Sequence, residues 1–105
     1  MMRGDVWLVA LDPTVKREMK KTRPALIVSP DELNAHLDTV IVSPMTTGGT
    51  SAPFRIPLVF DGKKGLILAD QIRAVDKERL LRKAGRVPGK TLAQTLRVLQ
   101  EMFIE

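Results

Sequence analysis

The strongest constraint on the fold of this chain is a series of five short runs of strand-forming residues separated by turn signals. Each run is rich in Val, Ile, Leu or Phe and is bounded by Gly, Pro, Asp or Ser, which is typical of β-strands. At 105 residues the chain is expected to form one domain, 1–105. The pattern predicts a mainly β fold, a small twisted barrel or half-barrel. The predicted strands are residues 6–11, 24–28, 39–43, 54–60 and 65–69, the last continued by 71–75.

Little helix is predicted between these strands. Ser29 is expected to be the N-cap of a short helix, with Pro30 at its first position and Glu32 at its third. Residues 14–22 and 45–53 are predicted loops, 61–65 a hairpin turn, and 77–81 a short helical turn capped by Asp76. One amphipathic C-terminal helix is predicted to close the barrel, because apolar residues recur there at helical spacing. They are Leu92, Leu96, Leu99 and Phe103, with Val98 and Met102 beside them.

Positive charge is concentrated in two segments. The chain has 17 Lys and Arg against 12 Asp and Glu, a net charge of +5 and a pI near 10.0. Residues 16–23 hold five basic residues and one acidic residue, and residues 77–90 hold six and one. Such clusters favour a polyanionic partner such as nucleic acid, although solvated surface charge gives the same pattern. No aromatic residue lies in either segment, so a base-stacking platform is not supported.

Several classes of function are excluded by what the sequence lacks. With no Cys there is no disulfide, thiolate nucleophile or thiolate zinc site, and a single His removes His-paired acid–base catalysis. No apolar run reaches the roughly 18 residues that a membrane span needs. Residues 1–5 also lack the apolar stretch of a secretory signal. These observations predict a cytoplasmic protein without membrane contact.

Four short motifs follow one another along the chain. They are Arg3-Gly4-Asp5-Val6-Trp7, Leu11-Asp12-Pro13-Thr14, Lys21-Thr22-Arg23-Pro24-Ala25-Leu26-Ile27-Val28-Ser29-Pro30 and Leu68-Ala69-Asp70-Gln71-Ile72-Arg73. In this order they make the chain resemble the MazF/PemK toxins of prokaryotic toxin–antitoxin systems from Arg3 to about Leu81. The resemblance implies an SH3-like barrel, of the PemK/CcdB type, and a homodimer. It implies a ribosome-independent endoribonuclease that cuts messenger RNA at short single-stranded sequences without metal or cofactor, and an acidic MazE-like antitoxin that covers the RNA groove.

The same resemblance implies the site residues. The family's catalytic Arg and Thr fall on Arg23 and Thr46, and its loop Glu falls on Glu18. Leu68 stands where one branch of the family has an Arg proposed as general acid, so that branch's mechanism does not transfer whole. The residues expected to bind RNA are Lys16, Arg17, Lys20, Lys21, Thr47, Asp70, Gln71 and Arg73.

RNA cleavage is compatible with these residue types. The 2′-hydroxyl of RNA is the nucleophile, so the protein has to stabilise a negatively charged phosphorane and move protons. Arg23 is suited to hold phosphate oxygens, and Thr46 to orient the phosphate by one hydrogen bond. Either Glu18 or Asp70 is the candidate base for the 2′-proton.

Each candidate also has a structural interpretation. Arg23 is then a surface cation, Thr46 a turn residue and Glu18 a counter-ion for Lys20 or Lys21. Asp70 then forms either a salt bridge with Arg73 or a hydrogen bond with the adjoining loop. Two other functions stay open: a non-enzymatic, CcdB-like inhibitor of DNA gyrase, and a catalytically inactive nucleic-acid-binding module.

Overall fold

The computed structural model describes residues 1–11 and 22–105, and within them the fold is mainly β. Two α-helices are present, α1 at Asp31–His36 and α2 at Gly89–Met102, together with short 3₁₀ turns at Ala69–Gln71 and Lys77–Arg79. Most of the regular structure consists of strands and α2 is the last element, which confirms the predicted mainly β fold with one C-terminal helix. The strands are β1 Asp5–Ala10, β2 Thr22–Ile27, β3 Thr39–Thr47, β4 Arg55–Phe60, β5 Lys63–Leu68, β6 Arg73–Asp76 and β7 Leu80–Arg86.

All described strands pair antiparallel, in the order β4-β5-β3-β2-β1-β7, with β6 also on β3. Strand β3 is the central strand of the sheet. Strand β2 pairs with one of its edges, and on the other edge β6 pairs with the first half of β3 and β5 with its last three residues. No hydrogen-bonded pairing joins β4 to β7 in the described part of the chain, so the sheet is a half-barrel. Side chains narrow this gap: a Cβ on Gly85 of β7 would lie 3.1 Å from the Phe60 ring of β4.

The two faces of the sheet carry separate apolar clusters, because successive strand residues point to opposite sides. One cluster includes Val6, Leu26 and Ile67, and α2 covers it with Leu92, Leu96, Leu99 and Met102. The other cluster consists of Val9, Leu11, Ala25, Ile27, Val40, Val42, Val75 and Leu80. Helix α2 therefore covers one end of the face that carries Val6, Leu26 and Ile67, and the other end of this face forms the cleft described below.

The C-terminal helix and β3 differ in detail from the sequence predictions. Phe103 caps the end of α2 and is 70% exposed, so it is not part of the apolar face. Strand β3 continues through Thr47, which shortens the predicted loop 45–53. Phe54 has a φ of 65° and precedes β4 instead of starting it. The hairpin turn is confirmed at Asp61 and Gly62, both at positive φ, and Pro57 lies on an edge strand as Pro prefers.

Two further elements were not predicted correctly. Strand β7 was missed, because its residues are mostly charged and exposed and show no apolar alternation. Ser29 is not the N-cap of α1: Pro30 holds that position. The Ser29 hydroxyl instead donates to Asn34 Oδ1 at 2.5 Å and accepts from the Ile41 N–H at 3.0 Å, which ties α1 to β3.

A buried carboxylate fastens the two ends of the fold. Asp5, at the start of β1, is 2% exposed and accepts hydrogen bonds from the Arg86 guanidinium at 2.7 Å and the Met2 N–H at 2.9 Å, with Lys83 Nζ at 3.5 Å. Burial raises the pKa of Asp5, but the Met2 and Arg86 hydrogen bonds and the Lys83 charge outweigh it, so the pKa lies below its ordinary 3.8. The ionised carboxylate therefore stabilises the fold.

Asp5→Asn is predicted to lower the free energy of unfolding at pH 7 by about 1–3 kcal/mol, because charge-assisted hydrogen bonds are lost. A carboxyl with a lowered folded pKa stabilises above its ordinary pKa and loses that contribution as the pH falls through the folded value. The free energy of unfolding, measured in urea, should therefore fall more steeply towards pH 3 for wild type than for Asp5→Asn. Asp38→Asn, at an exposed carboxyl, is the control; equal pH slopes in wild type and Asp5→Asn would contradict this assignment.

Gly65 of β5 allows a close approach to the backbone of β3. It pairs with Thr47 of β3, and a Cβ at Gly65 would lie 2.1 Å from the Thr46 carbonyl oxygen. Real atoms cannot approach so closely, so any other residue would push β5 away from β3. The position of Thr46 depends on this glycine.

Gly65→Ala is therefore predicted to destabilise the fold by about 1–3 kcal/mol or more, as overpacking does. Gly89→Ala is the matched control, because a Cβ there meets open space and its φ needs no glycine. Urea unfolding of both variants measures the difference. A Gly65→Ala protein as stable as Gly89→Ala would show that β5 does not pack against Thr46 in this way.

Candidate active site

Arg23 and Thr46, on neighbouring strands, lie together in one open pocket. Arg23 is near the start of β2 and Thr46 near the end of β3, and these strands pair antiparallel with Ala25 opposite Pro44. The pocket encloses about 430 Å³. We call it the Arg23–Thr46 pocket; it is lined by Thr22, Arg23, Pro24, Met45, Thr46 and Thr47.

Local sequence explains this placement. Pro24 favours an extended backbone at Arg23, so the guanidinium leaves β2 as an exposed side chain. The Thr46 hydroxyl has only a long 3.3 Å hydrogen bond to the Thr47 carbonyl within the described residues. A guanidinium and a hydroxyl on one open surface can hold a phosphate group by charge and hydrogen bonding.

A second cavity adjoins the first. It encloses about 330 Å³ and shares Pro24, Met45, Thr46 and Thr47 with the Arg23–Thr46 pocket. We call it the basic cleft, because three cations line its rim. They are Lys63, Lys64 and Arg82, and no motif in the sequence marks them as site residues, although Arg82 belongs to the basic segment 77–90. The cleft is also lined by Leu8, Leu58, Phe60, Asp61, Lys63, Lys64, Gly65, Arg82 and Ala84.

Asp70 and Gln71 lie elsewhere, in the 3₁₀ turn after β5, and line neither cavity. Asp70 accepts two hydrogen bonds from the Arg55 guanidinium, each 3.0 Å, so the predicted partner Arg73 is wrong. Arg55 holds the pKa of the Asp70 carboxyl below its ordinary 3.8. A carboxylate of lowered pKa accepts a proton less readily, which disfavours Asp70 as a general base.

Most of the basic segment 77–90 has structural contacts instead of forming one free cationic surface. Lys77 donates to the Asn34 carbonyl, Arg79 to the Ala10 carbonyl, and Lys83 and Arg86 contact Asp5. Arg73, expected to bind RNA, likewise donates to the Leu11 carbonyl at 3.1 Å. Arg82 differs, because it faces the basic cleft.

The remaining predicted site residues lie outside the described residues. They are Lys16, Arg17, Glu18, Lys20 and Lys21, and their roles stay predictions. Among residues 1–11 and 22–105, no group of three or more His, Asp or Glu is placed to hold a metal ion. In the same ranges, no helix is long and apolar enough to cross a membrane.

Known proteins are similar to this chain in sequence and in structure. It is 38% identical over 102 residues to Endoribonuclease PemK of Escherichia coli, covering 91% of this chain and 77% of that protein. It is 38% identical over 105 residues to Endoribonuclease MazF9 of Mycobacterium tuberculosis, covering 90% and 88%. A crystal structure of MazE–MazF from Deinococcus radiodurans superposes with a TM-score of 0.84 at 26% identity, covering 97% of this chain and 94% of that one.

These similarities agree with the mainly β fold and its C-terminal helix. Residues 2–103 match the family described as PemK-like, MazF-like toxin of type II toxin–antitoxin system. This match spans nearly the whole chain and accounts for both the sequence motifs and the fold. The chain therefore belongs to the PemK-like, MazF-like family of type II toxins.

Proposed function

We propose that this chain is an endoribonuclease that cuts single-stranded messenger RNA in the cytoplasm, at the Arg23–Thr46 pocket. The observation that carries the proposal is that Arg23 and Thr46 line one exposed pocket, beside a cleft with a cationic rim. The relatives PemK and MazF9 are themselves named endoribonucleases. No observation favours the gyrase inhibitor or the inactive nucleic-acid-binding module over this activity.

The proposed reaction uses the nucleophile that RNA carries. The 2′-oxygen attacks the adjacent phosphorus and the 5′-oxygen leaves, giving a 2′,3′-cyclic phosphate and a 5′-hydroxyl. The planar guanidinium of Arg23 can donate to two phosphate oxygens at once, so its positive charge stabilises the charge that builds on the phosphorane. Thr46 positions the phosphate through its hydroxyl.

A carboxylate is proposed to accept the 2′-proton. Of the two candidates, Asp70 is paired with Arg55 and has a lowered pKa, which favours Glu18 in this role. Lys16, Arg17, Lys20 and Lys21 are proposed to contact phosphates of the same strand, Thr47 to line its path beside Thr46, and Gln71 and Arg73 to contact it further along.

Arg23→Ala is predicted to lower RNA cleavage by about 100-fold or more, since an electrostatic donor to the transition state is removed. Arg23→Lys should be impaired nearly as much, because a point charge does not replace a bidentate fork. Thr46→Ala should lose activity, and Thr46→Ser should retain part of it. Gel analysis of cuts in a long unstructured RNA, with EDTA present, measures each rate; urea unfolding checks that the fold is kept.

The substrate supplies the decisive control. Deoxyribose at the scissile position removes the nucleophile, so the substituted RNA should bind and stay intact. Cutting of that substrate would overturn the 2′-hydroxyl mechanism. Near-normal rates for Arg23→Lys would show that Arg23 attracts RNA by its charge alone and does not hold the phosphate by a bidentate contact. Absence of any RNA cutting by wild type would overturn the proposed function itself.

We also propose that the chain forms a homodimer and that an acidic, MazE-like antitoxin segment blocks its RNA site. A net charge of +5 suits an acidic partner, and the structural relative from Deinococcus radiodurans is a MazE–MazF complex. Because both would use Arg23, the antitoxin should compete with RNA. Light scattering showing an active monomer would contradict the dimer, and inhibition without displacement of RNA would contradict the blocking model.

A further inference from the structure

The basic cleft has an apolar floor beneath a charged rim, and two floor residues, Pro24 and Met45, also line the Arg23–Thr46 pocket. Leu8, Pro24 and Met45 come from three neighbouring strands, and Leu58 and Phe60 close the floor from β4. The cleft lies on the face of the sheet that α2 covers, beyond the reach of the helix. Half-buried apolar side chains therefore remain accessible beside the proposed reaction centre.

This floor suits a nucleobase. A base has an apolar π-face, and aromatic or aliphatic surfaces bind it largely without regard to sequence. Phe60 supplies the aromatic ring, and the cleft volume of about 330 Å³ is at the small end of ligand cavities, enough for one nucleotide. The floor continues directly into Pro24 and Met45 of the Arg23–Thr46 pocket, so the bound base would belong to a nucleotide next to the scissile phosphate.

The rim suits the phosphate of the same nucleotide. Lys63 and Lys64 lie at the tip of the β4–β5 hairpin and Arg82 lies across the cleft on β7; Asp61 is the single carboxylate beside them. In the ranges that the structure describes, the carboxylates paired with cations are Asp5 and Asp70, so none of these three cations has an ion-pair partner there. Their neighbours Lys83 and Arg86 are occupied by Asp5, which leaves Arg82 as the cation of β7 aimed at a ligand.

We propose that the basic cleft is a subsite for one nucleotide flanking the scissile phosphate, with the base on Leu58 and Phe60 and the phosphate on Lys64 and Arg82. The inference rests on the proposed endoribonuclease function and adds a substrate-binding site to it. Residues of this subsite bind the substrate outside the reacting atoms, so they set its affinity and the base preferred at that position.

Arg82→Ala and Lys64→Ala test the rim, and Arg97→Ala is the matched control, since Arg97 is exposed on α2 and lines neither cavity. The probe is an RNA of about a dozen nucleotides centred on a site that wild type cuts, with deoxyribose at the scissile nucleotide for binding and ribose for kinetics. Each rim variant should raise Kd and KM about tenfold with kcat little changed, and lower the slope of log K against log salt by about one. Arg97→Ala should match wild type.

Shortened RNAs locate the effect. Nucleotides are removed from the RNA one at a time from each end, and Kd is measured for each shortened RNA. The difference in Kd between Arg82→Ala and wild type should disappear once the nucleotide that occupies the cleft is removed. Phe60→Leu, which keeps an apolar floor, should change the preferred base at that position and leave the salt slope unaltered.

Three results would overturn the subsite. The first is RNA affinity of the rim variants equal to that of Arg97→Ala. The second is a tenfold loss of affinity that persists however the RNA is shortened, because such a loss indicates general charge attraction and no nucleotide subsite. Unchanged RNA binding with weakened binding of an acidic antitoxin would assign the cleft to that partner instead. In each of these cases wild type still cuts RNA, so the proposed function survives; wild type that cuts nothing overturns both.

Discussion

Backbone pairing around β3 organises both the core and the proposed site. This nine-residue strand hydrogen-bonds to β2 on one side and to β6 and β5 on the other. Its first half holds the core together, and its last residues, Met45 to Thr47, supply the wall shared by both cavities. Gly65 makes this possible, because only a residue without a Cβ fits against the Thr46 carbonyl. Folding and the proposed site are thus set by the same strand.

Several of the exposed cations also help to hold the fold together. Arg73 and Arg79 bind carbonyl groups at the end of β1, and Arg86 and Lys83 neutralise the buried Asp5. Such contacts satisfy buried polar groups and fix the strand ends. Arg23 and the rim of the basic cleft remain exposed around the apolar floor. A high pI alone therefore overstates the surface available for RNA, because part of the positive charge is structural.

Much of the fold could be predicted from local pattern. The alternation of Ile56, Leu58 and Phe60, the Asp61-Gly62 turn and the helical spacing of Leu92, Leu96 and Leu99 all form as their local chemistry indicates. Strand β7 could not be predicted, because it is held by pairing with β1 and by Asp5 instead of by apolar alternation. Ser29 was assigned to the wrong role, since its hydroxyl bonds to Asn34 and Ile41, contacts that depend on where β3 lies.

The family, the mainly β class and the candidates Arg23 and Thr46 can be read from the amino-acid sequence, because they depend on short motifs and residue chemistry. Three other features follow from the folded chain alone: Arg23 and Thr46 share a pocket, Asp70 pairs with Arg55, and Arg82 reaches a cleft beside that pocket. These features depend on strand register. It places residues far apart in the chain side by side, and it sets which cations meet a carbonyl or a carboxylate and which face a ligand.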